Sequence, residues 1–328
     1  MRKLASSICL VILLLSLSGC THTYPKETLA DSIVEMCKKE YKVDIKAELI
    51  GNTLAIYIPL PSLFDITLRV NKESQTIIQN VILSASRVAL STNAKIEFYC
   101  VIAQDARMPE IQIIVIKYIT DVKRAYFLDI SRGEYFKRAI FDINVNPQSK
   151  KEKSIKEMIK KYEIDPAMQE KVIDEFFRSA PLGLKDFGYW QGRFYIKNIT
   201  LPEFLAEQIA YRVRMKFRED DELSKIFLLK QIQGSYKKEA DEKVFFYIYF
   251  DIKVNEILEI IGTKTEENEI FKNIFIEVAD CLYGYKFKDF DAVKIYDQNN
   301  SSKLIVTKDQ IYAFKRGRLK MDAILAGI

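Results

Sequence analysis

Apolar residues recur every fourth position at Leu29, Ile33, Cys37 and Tyr41, which predicts an amphipathic helix opened by a cap-like Thr28…Asp31 start. From Val43 to Leu49 the period drops to two, the mark of a strand with one wet face. Gly51-Asn52 follows, and because both residues tolerate positive φ the pair predicts a tight hairpin returning through Leu54, Ile56, Ile58 and Leu60. A second helix is predicted over about 75–91, with Ile77, Ile78, Val81, Ile82, Ala85, Val88 and Ala89 on one face. Two further strands, about 95–103 and 110–119, complete an α-β-β-α-β-β order.

The second half repeats that order. Thr200-Leu201-Pro202-Glu203 reads as a capping box with proline in the first turn, and Leu205, Ile209, Val213 and Phe217 continue a four-residue stripe. Strands are predicted over about 225–233 and 244–252, a helix capped at Thr263 carries Ile270, Phe271, Ile274, Phe275, Val278 and Leu282, and strands over about 289–296 and 303–307 close the set. Counted from their first apolar residues, the Ile77 and Ile270 helices match at offsets 0, 1, 4, 5, 8 and 12, a pattern that a duplication would leave and that helix periodicity alone also produces. The fold class read from this is α+β: two similar domains, 28–145 and 200–328, each an antiparallel sheet with helices on one face. A helical connector, 146–199, joins them; it contains a lysine-rich stretch and an Asp165-Pro166 helix start ahead of Val172, Ile173, Phe176 and Phe177. Helices facing a four-stranded sheet resemble several ring-building and envelope-assembly modules, a likeness of fold alone.

The start of the chain follows other rules. Met1-Arg2-Lys3 is basic, and Leu4 to Ser18 carries no charge but is short for a bilayer span. A basic start, a short apolar run and small residues at its exit describe a secretory signal peptide. That exit, Leu17-Ser18-Gly19-Cys20, resembles the lipobox of bacterial lipoproteins. The resemblance implies that residues 1–19 are removed and that Cys20 becomes a lipidated first residue, the chain's membrane partner. It further implies, through Thr21 rather than aspartate after the cysteine, the periplasmic face of an outer membrane where there is one. Residues 20–27 are then expected to form a polar tether.

Composition narrows the chemistry. The 38 phenylalanines and tyrosines among 328 residues suit packed cores. Of the formal +5, Arg2 and Lys3 contribute two, leaving +3, too balanced to imply nucleic acid. Cys9 lies in the signal and Cys20 at its exit, so Cys37, Cys100 and Cys281 remain, an odd set at wide spacings that reads as buried small hydrophobes. A pairing between two of them stays open.

The lone histidine, His22, falls in the expected tether, which removes Ser-His-Asp, Cys-His and histidine-rich zinc machinery from consideration. Ser235-Tyr236-Lys237-Lys238 fits S-x-x-K formally, but follows a strand and lacks the companion motifs. Glu219, Asp220, Asp221 and Glu222 offer carboxylates for glycoside hydrolysis, yet their contiguity after a helix reads as a solvated loop. No nucleotide or cofactor motif occurs, and none is expected to be needed.

Two segments remain for binding. Phe187 to Tyr195 holds the lone tryptophan, and Tyr189, Trp190, Arg193 and Phe194 are the candidate partner-binding residues, because aromatics and arginine dominate interface hot spots. The competing explanation is a strand or turn that docks the connector onto the second domain. Ile130 to Arg138 mixes charge and aromatics, with Ser131…Glu134 reading as a helix start. The basic runs 150–161 and 315–320 read as solvated faces, with anionic headgroups the alternative. The expectation is thus a lipid-anchored, non-enzymatic envelope protein that binds or assembles an envelope protein partner. A carboxylate-dependent glycan hydrolase and a lipid carrier stay open beside it.

Overall fold

The computed structural model describes residues 24–65, 67, 69–145, 183–190, 192–254 and 264–327, with isolated positions between 153 and 168. Cys20, His22, the expected cap at Thr263 and most of the connector, Val172, Ile173, Phe176 and Phe177 included, lie outside the described residues. Among the described residues no helix is long and apolar enough to cross a membrane.

The chain is α+β, as the periodicities predict. The first sheet is built on α1 (Leu29–Tyr41), β1 (Lys46–Ile50), β2 (Thr53–Leu60), α2 (Lys72–Leu90), β3 (Phe98–Asp105) and β4 (Ile111–Tyr118). Gly51, at φ +61°, turns the β1–β2 hairpin. Asn71 caps α2 by accepting from the Ser74 amide at 2.7 Å. After β4 come α3 (Ile119–Tyr126), α4 (Arg132–Lys137) and β5 (Ile140–Val145), and the strand order is β1-β2-β3-β4-β5.

The second sheet uses α5 (Leu201–Glu219), a single turn α6 (Leu223–Ile226), β8 (Phe227–Lys238), β9 (Val244–Val254), α7 (Lys264–Gly284), β10 (Ala292–Asp297), β11 (Lys303–Thr307), α8 (Lys308–Lys315) and α9 (Met321–Leu325). The hairpin β6 (Gly188–Trp190) and β7 (Arg193–Tyr195) stands between the two sets. The order β8-β9-β10-β11 repeats the order of β1 to β4.

Antiparallel pairing dominates, but the middle pair of each sheet, β2 with β3 and β9 with β10, is parallel. The reason is the crossover. Nineteen helical residues of α2 span about 28 Å, enough to carry the chain back along the sheet so that β3 starts where β2 started. Helix α7 does the same for β10.

The likeness extends past the sheets. Helices α3 and α8 each contain 8 residues, and each starts where the last strand of its set ends. Both close in a Schellman turn. For α3, Asp129 N–H donates to Arg124 O at 2.8 Å and Leu128 N–H to Ala125 O at 3.2 Å. For α8, Arg318 N–H donates to Ala313 O and Gly317 N–H to Phe314 O, each at 2.9 Å. The left-handed position is glycine in one, Gly317 at φ +71°, and leucine in the other, Leu128 at φ +61°.

Two compact units emerge, and their limits differ from 28–145 and 200–328. The first takes in residues 188–197, and the second takes in residues 131–141 and 181–187. The contacts give the reason. Arg138, at the end of α4, is 4% exposed; its Nε donates to Glu134 at 2.7 Å and its Nη2 to the Gly284 carbonyl at 3.1 Å, all within the second unit. Ser131 Oγ accepts from the Glu134 amide at 3.1 Å, so the expected helix start there is real.

In the second unit β9, β10 and β11 alternate buried and wetter positions, leaving one sheet face toward water. Helix α5 packs on β8 at Gly234, where an added Cβ would fall 1.9 Å from the Ala206 carbonyl oxygen. In the first unit β3 is buried at every position, so the middle of its sheet is covered on both faces, while edge strand β1 is not buried.

Candidate functional site

The best-formed candidate site lies on the first unit's sheet, on the face that carries Tyr57, Ile102, Gln104 and Gln112. Strand alternation and the β2–β3–β4 register place these four together. The β6–β7 hairpin docks there. The Tyr189 ring stacks on Tyr57 with centroids 3.8 Å apart and planes 20° apart, and Phe194 meets Tyr189 edge-on at 5.0 Å. The Gln112 carboxamide holds both backbone polar groups of Tyr189: Nε2 donates to its carbonyl at 2.8 Å, and Oε1 accepts from its amide at 3.4 Å.

Beside this anchor opens a cavity of about 240 Å³, lined by Tyr57, Gln104, Pro109, Tyr189, Trp190 and Gly192. The side chains of Tyr57 and Gln104 in this lining are already engaged. Tyr57 OH donates to Gln104 Oε1 at 2.5 Å, and Gln104 Nε2 donates to the Pro109 carbonyl at 2.5 Å. Burial, and then the neighbouring Tyr189, push the Tyr57 hydroxyl above the ordinary tyrosine range, so it stays protonated.

Of the four candidate partner-binding residues, Tyr189 is buried and works as the hairpin's anchor. The register pairs Tyr189 with Phe194 and Trp190 with Arg193, so Phe194 shares the docking face of Tyr189, while half-buried Trp190 and exposed Arg193 lie on the opposite face. The alternative expectation, docking onto the second domain, is corrected: the hairpin packs on Tyr57 and Gln112 and belongs to the first unit. Gly192, at φ +82°, supplies the turn.

A second surface went unread in the sequence. On the wet face of β9 and β10, Tyr247, Tyr249 and Tyr296 form a near-parallel group with centroids 5.3–6.3 Å apart. Lys294 Nζ lies 3.6 Å from the Phe245 ring centroid and 2.6 Å from Glu239. The run Val244 to Phe250 is apolar or aromatic throughout, so periodicity could not say which members face water.

The motifs weighed for chemistry fall apart spatially. Ser235 and Lys238 sit in β8 three residues apart, which puts them on opposite faces of the strand. Lys238 instead pairs with Glu242. Asp220 accepts from the amides of Glu222 and Leu223 at 3.0 and 3.1 Å, so the acidic run after α5 is an exposed turn. Cys37, Cys100 and Cys281 are buried and form no disulfide, and burial pushes the thiols of Cys37 and Cys100 up. Among the described residues no group of three His, Cys, Asp or Glu is placed to hold a metal ion.

Comparison with protein-family models, curated proteins and solved structures finds no match to this chain.

Proposed function

We propose that this chain is a lipid-anchored protein of the bacterial cell envelope that binds, and helps to assemble, another envelope component without turning over a substrate. The observation that carries the reading is the docked hairpin. Tyr189, backed by Phe194, and Gln112 fix it on the sheet, and Trp190 and Arg193 are thereby held on its other face beside an open aromatic cavity. A rigid aromatic and arginine edge loses little freedom on binding, which is the economy that partner surfaces use. The lipobox-like Leu17-Ser18-Gly19-Cys20 supplies the membrane address.

The test is cross-linking of the wild-type protein in intact cells, purification in mild detergent and mass spectrometry of what is recovered. One envelope protein in stoichiometric amount, lost in a Trp190→Ala/Arg193→Glu variant that keeps its circular dichroism, is the expected result. Recovery of glycan fragments or lipid without protein would overturn it in favour of hydrolysis or lipid carriage.

A further inference from the structure

Tyr126, Phe127 and Leu128 are consecutive and strongly exposed, at 75%, 72% and 88%. Single exposed apolar residues are ordinary, but three large ones in a row at the tip of a turn are not. The backbone makes the third more unusual. Leu128 occupies the left-handed position of the Schellman turn that ends α3, where a side chain is strained. The matching turn after α8 fills that position with Gly317. The turn itself asks for glycine, so the leucine serves no need of folding: it adds strain and buries almost nothing.

The occupant follows from where the chain enters the first unit. Within the expected 20–27 tether, Tyr24 and Lys26 are already bound to the first unit. Tyr24 bridges Thr92, its N–H donates to the Ser91 carbonyl at 3.3 Å, and the Lys26 N–H donates to Asn93 at 2.8 Å. Four residue steps separate Cys20 from Tyr24 and span at most about 14 Å, whatever their conformation. A lipid on Cys20 would therefore keep Tyr24, and the segment 91–93 that it bridges, close to the bilayer surface. The root of α3 is at this end of the same unit: Ile119 N–H donates to the Glu97 carbonyl at 2.8 Å, and Tyr118 pairs with Phe98. Helix α3 is only about 12 Å long.

We infer that the Tyr126-Phe127-Leu128 tip dips into the membrane interface as a second, non-covalent contact that fixes the orientation of the first unit on the lipid surface. This rests on the lipid-anchored reading of Cys20. Aromatic rings settle at the headgroup level and leucine below it, so the tip matches the chemistry of that layer. The neighbouring charges nearly balance. Lys123 is exposed, Arg124 lies 3.9 Å from Asp121, and Asp129 follows the tip, so contact is governed by apolar burial and not by anionic headgroups.

The test uses the full lipoprotein reconstituted in vesicles of phosphatidylethanolamine and phosphatidylglycerol. An environment-sensitive fluorophore is attached at Phe127→Cys, or at Glu110→Cys in the β3–β4 turn at the opposite end of the sheet. Cys37, Cys100 and Cys281 are buried and stay unlabelled. The emission at position 127 should shift to the blue and be quenched by nitroxide lipids, while position 110 remains water-like. Adding Leu128→Gly should raise the melting temperature by about 2–4 °C and weaken the quenching, a gain in stability with a loss of contact. An acylated protein whose 127 probe stays in water overturns the inference alone. A mature mass with Cys20 unmodified overturns the anchor reading and the inference with it.

Discussion

The Arg138 guanidinium donates to the carbonyl of Gly284, and it crowds the place where a side chain on that last residue of α7 would sit. An added Cβ at Gly284 would lie 3.0 Å from Arg138 Nη2. The same guanidinium sits 4.5 Å over the Tyr285 ring, so one buried cation ties α4 to the end of α7 through a hydrogen bond, an ion pair and a ring.

Arg138→Ala is therefore expected to cost about 3 kcal/mol in urea denaturation, since it removes a buried donor from the Gly284 carbonyl and leaves Glu134 only its 3.8 Å pair with Arg212. Gly284→Ala alone should also destabilise. In the Arg138→Ala background it should become neutral or slightly stabilising, because the obstructing atom is gone and alanine favours helix. Additive losses would show that the two residues are not coupled.

Gly234→Ala has a harsher expectation. The neighbour of its missing Cβ is backbone, the Ala206 carbonyl of α5, which cannot swing aside. A loss of about 4 kcal/mol or more, or failure to accumulate folded protein, is expected, whereas Gly317→Ala should cost roughly 1 kcal/mol for its positive φ alone. Equal losses in thermal denaturation would refute the close-approach argument.

Lys117 is 6% exposed, and burial lowers its pKa to about 8, with Asp121 opposing. For a base depressed in the fold, the unfolded chain holds more protons between about pH 8 and 10.5. Its burial penalty is full below pH 8 and is relieved as pH rises through that window. Lys117→Met should accordingly be more stable than wild type at pH 7, by at most about 3 kcal/mol, and that advantage should shrink toward pH 10.5. Melting curves of both proteins across this range decide it, and a pH-independent difference would count against the assignment.

How much of this was legible beforehand depends on what each feature rests on. Stripes such as Leu205, Ile209, Val213 and Phe217 announced their helices because burial on one face is a local pattern, and all four are buried. The Thr200…Glu203 start was legible for the same reason, and the Glu203 carboxylate accepts from the Thr200 hydroxyl at 2.8 Å. The parallel middle pairs were not, because strand direction depends on how far a crossover helix carries the chain. Tyr189 looked like a surface residue because its burial comes from Tyr57, 132 positions away in sequence, which no local pattern encodes.

Tyr189→Ala should lower stability by about 3 kcal/mol and release the hairpin, abolishing partner capture, while Trp190→Ala should reduce capture with little change in melting temperature. Equal melting losses from the two would mean that Trp190 is a packing residue as well.

The three buried cysteines give a plain check on both cores. Native protein with Cys20 acylated should react with no thiol reagent, and all three thiols should titrate on unfolding. Reaction of any one in the native state would place it at a surface.

Residues 188–197 complete the first unit and residues 131–141 the second, so neither unit is a continuous stretch of chain. A vectorial process such as export or synthesis meets this as an ordering problem. A chain emerging as far as Val145 has made every strand of the first sheet but still lacks Tyr189 to cover Tyr57, and that aromatic face waits bare until some fifty further residues have followed. A gene fragment cut at 145 inherits the same defect, and its stickiness in solution would be an artefact of the cut, not a property of the protein.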